Sequence, residues 1–426
     1  MPDQQRRRPA RQRWYRSALA LGLATALALG LVACGSSSDD STSSGGSSST
    51  TSSGGGNEES SKEPFKVLAV LPMSGPLAVV GELAKAGYEQ AAAVVNSEGG
   101  IIGHEVELKI VDDGGSGEKA VTAVNNAAGE EFNLISCGDF GEDAIPCAEA
   151  LVGNSALQIP LAAEKTLTDY EKLPNVFVPG TLFNPGEKAM AEQAQKDGYS
   201  KIAIVVGDGT TGRLGSEILK EEAEAVGLEV ATTVYVPEET SDATPQLQQA
   251  QSSGAEAILI SGYTVANGPI LAAKEKIGWK VPVYGDWYFS SANLALLAKP
   301  KQFPEITMEV WPWDIKGDPA TETPEFEAFY PPILKKVPEP ALSVNSPLVA
   351  FQPLLLARAA AEKAESIEGP ALVEAMAEVE DSSEIKGWIG PSQIYTPTRH
   401  HFEADSSEFR FIPGAPTEKG LIVPTK

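Results

Sequence analysis

The sequence predicts an α/β protein of two doubly wound parallel-sheet lobes, and three observations carry that expectation. Residues Phe65 to Asp113 read as a βαβ unit: an apolar run, a Pro/Gly turn, a long periodic segment, a Gly-Gly break and a second apolar run. The same alternation of short apolar runs with periodic segments recurs to about Asp286, the pattern of sheets covered by helices on both faces. The part of the chain with globular composition is about 360 residues long, more than one core usually supports, so two lobes are expected.

Each element has a local reason. Val80, Leu83, Ala84, Gly87, Ala91, Val94 and Val95 fall at three- and four-residue steps, so one helix face packs on a sheet, and the helix must stop at Gly99-Gly100. A helix of this length supplies the crossover that parallel strands need. GSGEKAVTAVNNAAGEE reads as a helix beginning near Ser116, FNLISCG as the third strand, DAIPCAEALVGNSA as the next helix and IPLAA as the next strand. After VFVPGTLF and the helical PGEKAMAEQAQKDG, KIAIVVGD opens a second series. It continues with helix TGRLGSEILKEEAEAVG, strand EVATTVYV, helix PQLQQAQSSG, strand AEAILISG, helix ANGPILAAKEKIG and strand VPVYGD.

The N-terminus is an address rather than fold. Arg6, Arg7, Arg8, Arg11, Arg13 and Arg16 precede an uncharged apolar run from Ser17 to Val32, short for a membrane span of about 20 residues. Leu31-Val32-Ala33-Cys34 resembles the bacterial lipoprotein box, which implies a signal peptide over residues 1–33, cleavage before Cys34 and a diacylglyceryl group on its sulfur. An uncleaved anchor and simple secretion are the competing readings. Residues 34–63 are Ser, Gly and Thr with a few acids, a flexible tether of typical reach about 30 Å.

The formal net charge is −25, and the leader itself carries six Arg against one Asp, so the remainder is more acidic still. No basic stripe offers phosphates a site, which argues against a nucleic-acid partner, and a soluble monomer is expected. Cys137 and Cys147 stand in an exported, oxidising setting, and a disulfide between them is expected. A metal site is poorly supported, because His104 is remote and His400-His401 adjoin an aromatic residue. No cofactor is expected.

Gly207-Asp208-Gly209-Thr210-Thr211-Gly212 is a GxGxxG between a strand and a helix, the context of a dinucleotide fingerprint. Any strand-to-helix turn in a doubly wound lobe needs such small residues, and an exported chain is separated from the nucleotide pool. There is no GxSxG elbow, no HExxH and no P-loop. Asp112-Asp113 and Glu130-Glu131 read as a strand-end turn and a solvated helix end rather than catalytic dyads.

PMSGPLAVVG followed by VNSEGGIIGHEVELKIVDD, with GWIGPSQIYTPTRHHF near the end, resembles the solute-binding proteins of bacterial ABC importers, the branched-chain amino-acid receptor family with the type I periplasmic binding fold. The resemblance spans Phe65 to Pro413. It implies three hinge crossings, near Gly180–Asn184, Trp311–Ile315 and Lys386–Pro391. Lobe one would then take residues 65–181 and 312–384, and lobe two 182–311 and 385–426. The family's ligand loops match Gly141–Asp143, with Glu142 and Asp143, then Ala162, Ala163 and Glu164, and across the cleft Thr211, Tyr263 and Asp286 or its neighbour Trp287. Asp143 is equally a helix N-cap, and Tyr263, Asp286 and Trp287 are equally core or rim packing. Trp311 and Trp313 at a crossing suit hinge packing better than ligand contact. Acids stand here where the family places hydroxyls, which tilts the expected solute toward a cationic or amide-bearing one.

The implied function is a lipid-anchored extracytoplasmic receptor, not an enzyme, that closes on a small solute and passes it to an ABC permease. A sensor of the same fold and an exported enzyme on a doubly wound scaffold are the rival readings.

Overall fold

The structure is a computed structural model that describes residues 62–127, 129–181, 184–262, 264–291 and 294–424. Cys34, the tether up to Ser61 and Tyr263 lie outside these residues.

The first sheet holds β1 (Phe65–Leu71), β2 (Val106–Asp112), β3 (Leu134–Cys137) and β4 (Leu157–Gln158), in the order β2-β1-β3-β4 and parallel throughout. Strand β1, FKVLAVL, is buried at every residue but Lys66, as a central strand covered on both faces must be. Helix α1 (Ala78–Ser97) buries Leu83, Ala84, Gly87, Ala91 and Val95, while Val80 and Val94 are half-buried. A Cβ on Gly87 would run into the Pro347 carbonyl, so the glycine sets how closely two helices approach. The helix ends in a Schellman turn: Gly99 and Gly100 have φ of 100° and 76°. Gly100 N–H donates to Val95 O at 2.9 Å and Gly99 N–H to Asn96 O at 3.1 Å.

Helices α2 (Gly117–Asn126) and α3 (Gly141–Ala150) cover the other face. They enclose a disulfide between Cys137 and Cys147, whose Cα atoms lie 6.2 Å apart. The expected strand IPLAA does not form. The ladder is confined to Leu157–Gln158; single bonds follow toward β3, from Ile159 N to Ile135 O and from Leu161 N to Gly138 O, while Pro160, whose position faces away from β3, has no N–H for a neighbour on that side.

From β5 (Val178–Thr181) the chain passes to α4 (Asn184–Lys196) and the second sheet. That sheet comprises β6 (Lys201–Gly207), β7 (Glu229–Val236), β8 (Ala257–Ile260), β9 (Val283–Gly285) and β10 (Ile306–Val310). Its intervening helices are α5 (Thr210–Ala225), α6 (Thr244–Ser252), α7 (Asn267–Lys276), α8 (Trp287–Ser290) and α9 (Leu294–Leu297). Helices α10 (Pro324–Lys336), α11 (Asn345–Ala364) and α12 (Gly369–Met376) then return to the first core, where Phe329, Phe351 and Leu355 pack with Phe65 and Tyr88. Arg358 on α11, almost fully buried, reaches the end of α1 through Glu98 at 2.7 Å.

The C-terminal stretch keeps to the first core well past Pro391. Ile385, Ile389, Ile394 and Tyr395 pack in the first core, and β11 (His401–Phe402) pairs parallel with β5. Only at β12 (Arg410–Pro413), antiparallel to β10, does the chain join the second sheet, whose order is β12-β10-β9-β8-β6-β7. The physical reason is aromatic: Phe177 meets Tyr395 edge-on at 5.1 Å and stacks on His400 at 4.0 Å, holding this stretch beside β5. Trp311 stacks on Trp313 at 4.8 Å and touches Phe409 at 4.2 Å, joining two of the crossings.

Candidate functional site

In open parallel sheets ligands bind beyond the carboxyl ends of the strands, at the point where strand order reverses. In the first sheet that point lies between β1 and β3, and in the second between β6 and β8.

Beyond β3, Phe140 is the N-cap of α3, and Asp143, buried, accepts its main-chain N–H at 2.9 Å. Asp143 thus serves as the third-residue arm of a capping arrangement, with its second oxygen buried and unpartnered. Burial, with the nearby Asp113 carboxylate adding, pushes its carboxyl up to about 6. Glu142 is exposed. Ala162 is buried in a small apolar cluster with Leu167 and Val178, and Ala163 is half-buried against Gly180. Glu164 is half-buried beside Gly141, and burial with the Glu142 charge raises its carboxyl.

Beyond β6, Thr211 lies in the first turn of α5, and the three glycines of the GxGxxG are accounted for by protein contacts. A side chain on Gly207 would strike Thr264, on Gly209 Glu238, and on Gly212 the Gly207 carbonyl.

Asp286, wholly buried, is the N-cap of α8: it accepts from Phe289 N at 2.7 Å and from Gly262 N at 2.7 Å, with Ser261 Oγ at 3.2 Å. Trp287 is half-buried, its ring stacked on Tyr288 at 3.6 Å and 6.1 Å from Trp311. Burial, with the carboxylates of Asp286, Glu187 and Glu164 around it, raises the Tyr288 phenol.

Two further residues join Asp286 that sequence reasoning did not single out. Glu187, in the first turn of α4, accepts from Ser261 Oγ at 2.5 Å. Glu309 sits in β10 with no hydrogen-bond partner on either oxygen. Glu187 carries no local signal beyond that of a first-turn acid. The signal for Glu309 was present: a charged residue inside ITMEV, in a strand whose flanking Met308 and Val310 are core. Burial raises Asp286 to about 6 and lifts Glu187 and Glu309 as well, with the Asp286 carboxylate adding to the rise of both glutamates.

A separate recess is lined by Lys274, Glu275, Trp279, Lys280 and Lys301. Val283 and Ile306 at its wall begin β9 and β10, so it lies at the opposite strand ends from the residues above. No helix among the described residues is long and apolar enough to cross a membrane.

The chain is 28% identical over 220 residues to Leu/Ile/Val-binding protein homolog 3 of Brucella melitensis, spanning 51% of this chain and 59% of that protein. It is 24% identical over 325 residues to Leu/Ile/Val-binding protein BraC3 of Rhizobium johnstonii, spanning 75% and 84%. Among solved structures, a solute binding protein of an ABC transporter from Rhodopseudomonas palustris HaA2, in complex with p-hydroxybenzoic acid, superposes with a TM-score of 0.68 at 20% identity, covering 85% of this chain and 96% of that one. The LivJ substrate binding protein of Streptococcus pneumoniae, in complex with isoleucine, gives a TM-score of 0.62 at 15% identity, covering 85% and 94%. At these identities the structural likeness speaks for the fold. The sequence model described as periplasmic binding protein matches residues 64–411, and the chain belongs to that family.

Proposed function

We propose that this protein is an extracytoplasmic receptor, held to the membrane by lipid on Cys34, that captures a small amino-acid-like, amide-bearing or cationic solute between two lobes and delivers it to an ABC permease. The observation that carries the reading is the match of residues 64–411 to the periplasmic binding protein family, with two parallel sheets whose strand-order reversals offer ligand positions beyond β1 and β3 and beyond β6 and β8. A solute touching both sides only when they are shut would shift the hinge equilibrium toward closure, with no bond made or broken. The family's known members named above support a solute-binding role, and two of them hold quite different solutes, isoleucine and p-hydroxybenzoic acid. In this reading the cleft is bordered by Glu142, Asp143, Ala162, Ala163, Glu164, Thr211, Tyr263, Asp286 and Trp287, and the lobe boundaries fall near Thr181, Trp311 and Phe409.

The test is identification, by mass spectrometry after denaturing extraction, of the small molecule that co-purifies with the protein, followed by uptake of that molecule in cells with and without the gene. Loss of uptake supports delivery to a permease. A retained molecule whose uptake is unchanged contradicts the permease step, and turnover of that molecule by the purified protein contradicts the receptor.

A further inference from the structure

At the foot of the second sheet, lysines gather in a chain that has 33 Lys and Arg against 58 Asp and Glu. The recess lined by Lys274, Lys280 and Lys301 holds about 50 Å³, and Trp279, Val283 and Ile306 form its apolar wall. One water needs about 10–15 Å³ by the same measure, so there is room for a small polyatomic ion. Two carboxylates serve four ammonium groups here. Glu305 pairs with Lys274 at 2.6 Å and with Lys280 at 3.1 Å, while Glu275 pairs with Lys301 and, at 3.5 Å, with Lys299. The bond from Lys274 holds the Glu305 carboxyl below its ordinary value, and the bond from Lys301 does the same for Glu275. Both acids are therefore charged, and two positive charges remain in excess.

Lysines at the end of a helix often serve only to complement its dipole, and Lys274 and Lys276 stand in the last turn of α7. The carbonyls of that turn are already satisfied. Leu271 O accepts from the Gln302 side-chain amide at 3.2 Å, Ala273 O from Ile277 N at 3.0 Å and Lys274 O from Trp279 N at 3.2 Å. Lys280, Lys299 and Lys301 come from the turns before β9 and β10, so the dipole of α7 does not account for them. Lys274 is 4% exposed, and among the described residues its ammonium, which carries three N–H donors, gives one bond, to Glu305. It has donors to offer a guest in the recess that it lines. A tetrahedral oxyanion presents oxygens in every direction, which suits ammonium groups converging from a helix end and two separate turns, and a doubly charged one cancels the excess. We propose that this recess is a binding site for a free oxyanion of the phosphate or sulfate class, held by Lys274, Lys280 and Lys301 beside Trp279. The site goes beyond the receptor reading and does not depend on it, because it lies at the opposite strand ends from the cleft residues.

The experiment titrates the purified protein with inorganic phosphate, and separately with sulfate, by calorimetry in a buffer free of both, with ionic strength held constant by sodium chloride. Both anions strengthen burial in any protein, so saturation of a single site, rather than a rise in melting temperature, is the readout. At least one of the two should give a saturating isotherm. The double variant Lys280→Gln, Lys301→Gln alters side chains that are 77% and 66% exposed, so the fold is kept, and it should bind at least tenfold more weakly. Lys85→Gln, which removes an exposed lysine on α1 in the first lobe, should bind as the wild type does. No saturation with either anion, equal binding by wild type and double variant, or an equal loss in Lys85→Gln overturns the site. Retention of the co-purifying solute should be the same in wild type and double variant, so the receptor reading stands or falls separately.

Discussion

The Gly262 main-chain N–H donates to the Asp286 carboxylate at 2.7 Å, tying the end of β8 to the end of β9. Read from the sequence alone, Asp286 is as much a core or rim residue as a ligand-facing acid. Its complete burial and its capping of α8 give it a structural duty as well. Asp286→Ala should lose a helix cap, worth about 0.5–2 kcal/mol, and leave the Gly262 N–H buried without an acceptor, a further ~1–3 kcal/mol. Asp286→Asn keeps an acceptor and should cost much less. Urea unfolding of both variants checks this; equal stability of Ala and Asn variants would contradict it.

Stability should fall as pH rises through the weakly acidic range. Burial raises Asp286 to about 6 and Asp314 to about 7, both above the ordinary carboxyl value. A carboxyl raised in the folded state favours folding while protonated, so its contribution is complete below about pH 4 and is lost between about pH 4 and 7. The melting temperature of the solute-free protein should therefore drop across that window. Asp314→Asn, which preserves a partner for Asn345 Nδ2, now 2.7 Å from Asp314, should flatten the upper part of the curve. A melting temperature that rises from pH 5 to 7 would refute the assignment.

The Cys137–Cys147 bridge closes a loop with a sequence separation of 10. Chain-entropy reasoning gives a bridge of that span about 3 kcal/mol of stability at most. The Cys137→Ser, Cys147→Ser double variant should be destabilised by about 2–3 kcal/mol. Unreduced, denatured wild type should leave both thiols unalkylated, and labelling of either would contradict the bridge.

Cys34 should carry the lipid. Protein extracted from membranes should begin at Cys34 with a diacylglyceryl group, measured by intact mass, and Cys34→Ser should release the protein from the membrane fraction. Recovery of an unmodified chain beginning at Met1 would refute this. Each buried acyl methylene contributes about 0.8 kcal/mol, so two chains suffice for stable attachment.

Short-range physics made much of the fold legible in the sequence by itself. The apolar face of α1, its stop at Gly99-Gly100, the alternation that makes two parallel sheets, and the pair of cysteines ten residues apart all depend on neighbours within a few turns. Tertiary structure alone decided three other matters. The IPLAA segment runs on beside β3 through single bonds at Ile159 and Leu161 rather than as a full strand, an outcome set by what lies on its other side. The stretch through Phe402 stays beside β5 because Phe177 stacks on His400 and meets Tyr395 edge-on, contacts between residues far apart in the chain. The acidic cluster belongs to the same class: Glu187 opens a helix, Asp286 caps another and Glu309 sits in a strand, so no local spacing relates them. They come together only when three strand ends and a helix start converge, and it is the exclusion of water by that convergence that raises the carboxyls of three ordinary acids.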